Sequence, residues 1–260
     1  MDKNTIQSLI QTGAFELYGQ PKWTFGKNTC NTYEVFAEKL RLPEGETVSA
    51  RPALELIRQD EALTTLFSRW FLEAAMRSAM DLTRQTDCNV TLSIGLLPLF
   101  ANRADFADMV EEQLRLTGLP PAKLQFELSQ AQRLTADGVA NLNRLHDELR
   151  VGLLLNHFGT GLSNVDLLCD VHFDGIELDR SFAARVPQSE QACRVVVGVT
   201  HLADTLDLCV CAKGIETDEQ FEFFEELNCF KGQGYLIGKP MPLPELRGYI
   251  AQYAVKRGHK

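Results

Sequence analysis

The 260-residue chain lacks any apolar run near the roughly 20 residues that a membrane-crossing helix requires. It has no Cys-x-x-Cys pair, and its seven cysteines (30, 88, 169, 193, 209, 211 and 229) are odd in number. Zinc-type spacing and a disulfide framework are therefore both missing, and the thiols read as reduced core residues. No basic block occurs beyond the terminal VKRGHK, and the net charge is −9, which argues against nucleic-acid backbone binding. The opening MDKNTIQSLI lacks the layout of a secretion signal. No glycine-rich phosphate loop follows the first strand candidate, which counts against an open doubly wound sheet. These absences lead to the expectation of a cytoplasmic protein that contacts neither membrane nor nucleic acid directly.

The composition is 45% hydrophobic, which suits one large domain over residues 1–260 with its core at about 14–254. Strand-like runs recur at 15–21, 32–40, 89–94, 123–129, 151–156, 173–178, 208–213 and 229–237, and longer helical patterns separate most of them. Apolar strands each followed by a helix form a parallel sheet covered by helices, and about eight such units predict a (β/α)8 barrel. In such a barrel the site lies at the C-terminal ends of the strands. That register places Glu34, Thr91, Glu127, Asn156, His157, Glu177, Asp179, Lys213 and Gln233 around one mouth. Trp23 and Phe25 fall in the loop between the first two strands, and FEFFEEL (221–227) reads as an amphipathic helix. His146 and His201 read as ordinary helix residues.

The ordered series YGQP (18–21), FELS (126–129), NHFGTGLSNVDLL (156–168), IELDRSF (176–182), AKGIETDEQ (212–220) and QGYLIGKP (233–240) resembles the EAL domain of bacterial cyclic-di-GMP phosphodiesterases. The resemblance implies a TIM-like (β/α)8 barrel with an irregular first strand. It places the name-giving motif at Glu34-Val35-Phe36. The literal Glu61-Ala62-Leu63 is then a coincidence inside a helix that Asp60 can cap.

The resemblance also implies a chemistry in which two divalent cations, held mostly by carboxylates, activate water against a phosphodiester. Carried over residue by residue, the motif Glu is Glu34 and the fourth-strand Glu is Glu127. The Asn after the third strand is assigned to Thr91, and the metal-bridging Asp pair has become Asn156 and His157. The family's Lys position holds Glu177, Asp179 is kept, and the following Glu position holds Lys213. Glu216 and Gln233 match the pattern. Gln130 replaces a Glu that braces the loop after the fourth strand, and the position of the family's phosphate-binding Arg falls near Glu38, so that Arg is missing. An amide and an imidazole are poor replacements for a carboxylate bridging two dications. No catalytic residue, cofactor or binuclear metal site is therefore expected, and Glu34, Glu127 and His157 remain only as single-metal candidates.

The four acidic side chains Glu34, Glu127, Glu177 and Asp179 against Lys213 sum to −3 in the pocket. A dianionic cyclic dinucleotide would meet about 3 kcal/mol of repulsion for each like pair some 6 Å apart. Cyclic-di-GMP binding is thus expected to be weak or absent. Gln20, Arg180 and Gln233 are the residues left to support a non-hydrolysing receptor. The exchanged signs at Glu177 and Lys213 suggest an ion pair of reversed polarity, in which the single change K213E destabilises more than the exchange K213E/E177K. The resemblance to YdiV-like, single-domain degenerate members implies a regulator that binds proteins, such as the flagellar master transcription regulator.

Overall fold

Only four residues separate strand Phe15–Thr24 (β1) from strand Thr29–Arg41 (β2), too few for a crossover helix, so the two pair antiparallel. Gly26 and Asn28 take the left-handed backbone that this tight connection demands. The computed structural model describes residues 1–129, 133–160 and 165–253. The further strands are Thr47–Ser49 (β3), Thr91–Leu96 (β4), Leu124–Leu128 (β5), Gly152–Phe158 (β6), Gly175–Leu178 (β7), Cys209–Lys213 (β8), Lys231–Gln233 (β9) and Met241–Pro242 (β10). From β2 the sheet runs through β4, β5, β6, β7, β8 and β9, all parallel, and β1 closes it by pairing antiparallel with both β9 and β2. The result is a closed eight-stranded barrel whose irregular strand is β1. Strands β3 and β10 are short additions at its margin.

The burial of β5 to β8 follows from their apolar composition: Phe126, Leu128, Leu153, Leu155, Ile176, Leu178 and Val210 all lie in one core. The helix Glu61–Thr86 covers the start of this sheet, and the Asp60 side chain accepts the Leu63 N–H at its N-cap. Glu61-Ala62-Leu63 is thus the first turn of a helix, as expected. A second, smaller core joins Ile6, Ile10, Phe15, Leu40 and Ile57. Among the described residues no helix is long and apolar enough to cross a membrane.

Three local expectations need correction. Thr91 is the first residue of β4, paired with Thr32, so it lies at the wrong end of the strand for the site. The residue of β4 level with Glu127 is Gly95. Trp23 is part of β1, not a loop, and both it and Phe25 pack on Phe221 of the helix Asp218–Glu226, so this aromatic group is interior packing. Strand β9 ends at Gln233, because Gly234–Gly238 turns back and Leu236 N–H bonds to Ile215. Gln130 and Gly161 lie outside the described residues.

Candidate functional site

Side chains two apart on a strand share a face, so Gln20 and Lys22 of β1 both point toward the barrel axis. Lys22 is fully buried, and its ammonium lies 2.5 Å from Glu127 Oε1 and 2.6 Å from Glu177 Oε1. Lys213, at the end of β8, reaches the other side of the same carboxylates. Its Nζ is 2.6 Å from Glu127 Oε2, 2.9 Å from Glu177 Oε2 and 3.2 Å from Glu34 Oε2. Gln233 Nε2 donates to Glu34 at 3.0 Å, and Ser93 donates to Glu127. Two buried carboxylates are therefore bridged on both edges by two ammonium groups.

The Glu177–Lys213 pair thus exists, but as one edge of a larger arrangement. The exchange K213E/E177K would set a new lysine against Lys22, so the compensation expected of an isolated pair does not hold. The sequence count of −3 omitted Lys22 and becomes −2 when it is included. Lysine is usually a surface residue, which is why its sequence position gave no warning. The available signal was its place two residues from Gln20 on a strand pointing inward.

The protonation pattern follows from burial and proximity. Burial opposes ionisation of Glu127, but Lys213 and Lys22 outweigh it and hold that carboxyl well below its ordinary range. For Glu177 burial comes first, the neighbouring Glu127 adds to it, and the group is raised. Burial pulls both lysines down, yet the carboxylates around them leave both raised. Glu34, Glu127 and Glu177 against Lys22 and Lys213 leave one negative charge unbalanced, and burial beside Glu127 is what raises Glu177.

Asn156 and His157 end β6. Asn156 is buried, its Nδ2 faces Glu127 and Ser129 at 3.4 Å, and its Oδ1 accepts the His157 N–H at 2.7 Å. His157 has a left-handed backbone (φ 55°), which turns its side chain outward to Asp179, with Nδ1 2.8 Å from Oδ2. Asp179 also caps the helix Arg180–Ala183 through the Ser181 N–H. Burial would raise the Asp179 carboxyl, but the Ser181 hydrogen bond and His157 leave it lowered. Its stabilising effect is therefore present above the ordinary aspartate range and lost as the pH falls through its folded-state value. Asp179→Ala should cost about 1 kcal/mol at neutral pH, with the gap to wild type closing in acid, as followed by urea denaturation across pH.

Arg180 and Glu216 are exposed, and Gln20 donates to the Gly238 carbonyl at 3.0 Å. Together with Glu34, His157 and Gln233 they line a cavity of about 300 Å³ above the buried charges. A second, more apolar pocket is lined by Phe36, Phe67, Phe71 and Gly95 and shares Glu34 with the first.

The family model for the EAL domain matches residues 3–240. The chain belongs to the EAL domain family. Cyclic di-GMP phosphodiesterase RocR of Pseudomonas aeruginosa is 29% identical over 249 residues, 93% of this chain and 61% of RocR. Cyclic di-GMP phosphodiesterase NbdA of the same organism is 30% identical over 71% of this chain, but that is only 24% of NbdA. This chain therefore spans less than two thirds of either relative. Among solved structures, the cAMP-bound EAL enzyme Bd1971 superposes with a TM-score of 0.85 at 24% identity, covering 95% of this chain and 69% of that one. The PaMucR phosphodiesterase in complex with c-di-GMP gives 0.82 at 24% identity, covering 94% and 98%. At these identities the structural likeness speaks for the barrel alone.

The donor set of this EAL domain does not fit a pair of divalent cations. Such ions need several free carboxylate oxygens. Both oxygens of Glu127 and of Glu177 already face an ammonium within 2.9 Å. The β4 side chain that reaches these carboxylates is Ser93, a hydroxyl that donates to Glu127, and Gly95, level with Glu127, adds no ligand atom. Asn156 is neutral, with its oxygen turned to the backbone. The single-metal candidates are also apart in role: Glu34 and Glu127 hold Lys213, whereas His157 holds Asp179.

Proposed function

We propose that this EAL domain is catalytically silent and works as a regulator that binds another protein, with little or no cyclic-di-GMP binding. The observation that carries the reading is the pair of ammonium groups, Lys22 and Lys213, held against Glu127, with Lys213 also on Glu34, the two carboxylates that the resemblance assigns to metal binding. Each ammonium supplies positive charge without Lewis acidity, and neither can lower the pKa of a bound water as a dication does. Tyr235, which lines the cavity, and the next residue, Leu236, are both exposed apolar side chains. These are residue types that interfaces use. A transcription regulator, such as the flagellar master regulator, is the class of partner that the resemblance suggests.

Purified protein incubated with cyclic-di-GMP and Mg²⁺ or Mn²⁺ should release no linear dinucleotide, and calorimetry of the same mixture should be flat. Steady turnover would overturn the inactive reading. Tight binding without turnover would make the domain a nucleotide receptor instead. Co-elution with the flagellar master regulator on size exclusion tests the partner class, and separate elution removes that partner from consideration.

A further inference from the structure

A group of ligand-type side chains converges at the end of the barrel opposite the buried lysines. His146 lies at the C-terminal end of the helix Ala136–Asp147, and its Nδ1 is 2.8 Å from Asp147 Oδ1. His172, in the segment leading into β7, turns its own Nδ1 to the same carboxylate, 2.9 Å from Oδ2. One ligand atom from each of the three residues lies within 4.8 Å of the others. Donors about 2.0–2.1 Å from a tetrahedral zinc ion stand roughly 3.4 Å apart, so small side-chain rotations would complete the geometry.

The surroundings are also built for ligation. His146 Nε2 lies 3.4 Å from Asp174 Oδ1, and the other oxygen of Asp174 accepts the Leu153 N–H at 2.7 Å. Metal-bound imidazoles commonly direct their second nitrogen to such an anchored carboxylate, which sets the tautomer and the ring plane. His172 is held independently, because Asn143 Oδ1 accepts its backbone N–H at 3.0 Å and Asn143 Nδ2 donates to the Asp170 carbonyl. Both imidazoles share one carboxylate, so two ring nitrogens and a carboxylate oxygen already meet at one point. None of these residues touches the charged arrangement at the mouth.

We propose that His146, Asp147 and His172 form a binding site for a zinc-class divalent cation, with Asp174 as a positioning residue and the fourth position left to water. Two imidazoles and one carboxylate favour Zn²⁺ over Mg²⁺. The ion would tie the end of the helix Ala136–Asp147 to the entry of β7. Whole-chain protein titrated with Zn²⁺ should bind one equivalent and melt at higher temperature, whereas Mg²⁺ should do neither. His172→Ala, at an exposed position, should weaken Zn²⁺ binding at least 10-fold, and His157→Ala at the mouth should leave it unchanged. Co²⁺ in place of Zn²⁺ should give a spectrum without a thiolate charge-transfer band, which separates this site from the exposed Cys169 and Cys209. Absence of binding in wild type, equal binding by His172→Ala, loss in His157→Ala, or a thiolate band would each overturn the proposal.

Discussion

Lys22→Met is expected to destabilise the fold by about 3–5 kcal/mol, read by urea denaturation at neutral pH. The substituted side chain is similar in length, so packing changes little. The cost comes from leaving Glu127 and Glu177 buried together with only Lys213 between them. A companion change separates charge from shape. Glu177 is raised by burial and by Glu127, so glutamine, which resembles its protonated form, should be tolerated there. A raised folded-state pKa means that the Glu177 contribution is present at low pH and lost as pH rises through that value. Glu177→Gln should therefore gain on wild type as pH increases. In the Lys22→Met background it should restore at least about 1 kcal/mol, a coupling typical of residues in one ionic network. If Lys22→Met matches wild type in stability, or if Glu177→Gln rescues nothing, the two-lysine account of the barrel mouth is wrong.

The second large effect is steric. A Cβ added at Gly234 would lie 2.0 Å from the Ile215 carbonyl oxygen and 2.3 Å from the Ile215 nitrogen, both backbone atoms that cannot rotate away. Relief requires β8 and β9 to part beyond Lys213 and Gln233, at the Ile215 N–H to Gln233 carbonyl bond. Overpacking of about 1–3 kcal/mol and the loss of a buried hydrogen bond near 1 kcal/mol give Gly234→Ala a cost of about 3 kcal/mol. Gln233, which holds Glu34, would shift with the strand. Gly95→Ala is the matched control, since its Cβ meets nothing within 4 Å and its stability should stay within about 0.5 kcal/mol of wild type. Equal midpoints for the two variants in denaturant would refute the close approach at Gly234.

The barrel was legible because parallel strands buried on both faces must read as apolar runs, and LLLN or FDGIEL can hardly serve otherwise. The irregular first strand was expected from resemblance and has a local cause, a connection of four residues. Residues at the ends of β5 to β9 were also legible, because Glu127, Asn156, Glu177, Lys213 and Gln233 each interrupt or end an apolar run. Thr91 was misplaced by two residues: NVTLS puts two polar side chains on one face of β4, and it is Ser93, not Thr91 at the start of the strand, whose hydroxyl reaches Glu127.

The sequence by itself determined the closed sheet, because apolar runs alternating with helical patterns are local composition, while Asn156 and His157 stand for a carboxylate pair only through the resemblance of their motif. Tertiary structure alone decided how the remaining charges are balanced. Lys22 and Lys213 are 191 positions apart in the chain and meet only because antiparallel β1 closes the ring beside β9. That closure buries the Lys22 ammonium, and burial makes Glu127 and Glu177 its necessary partners, since an unpaired charge in that interior is too costly to persist.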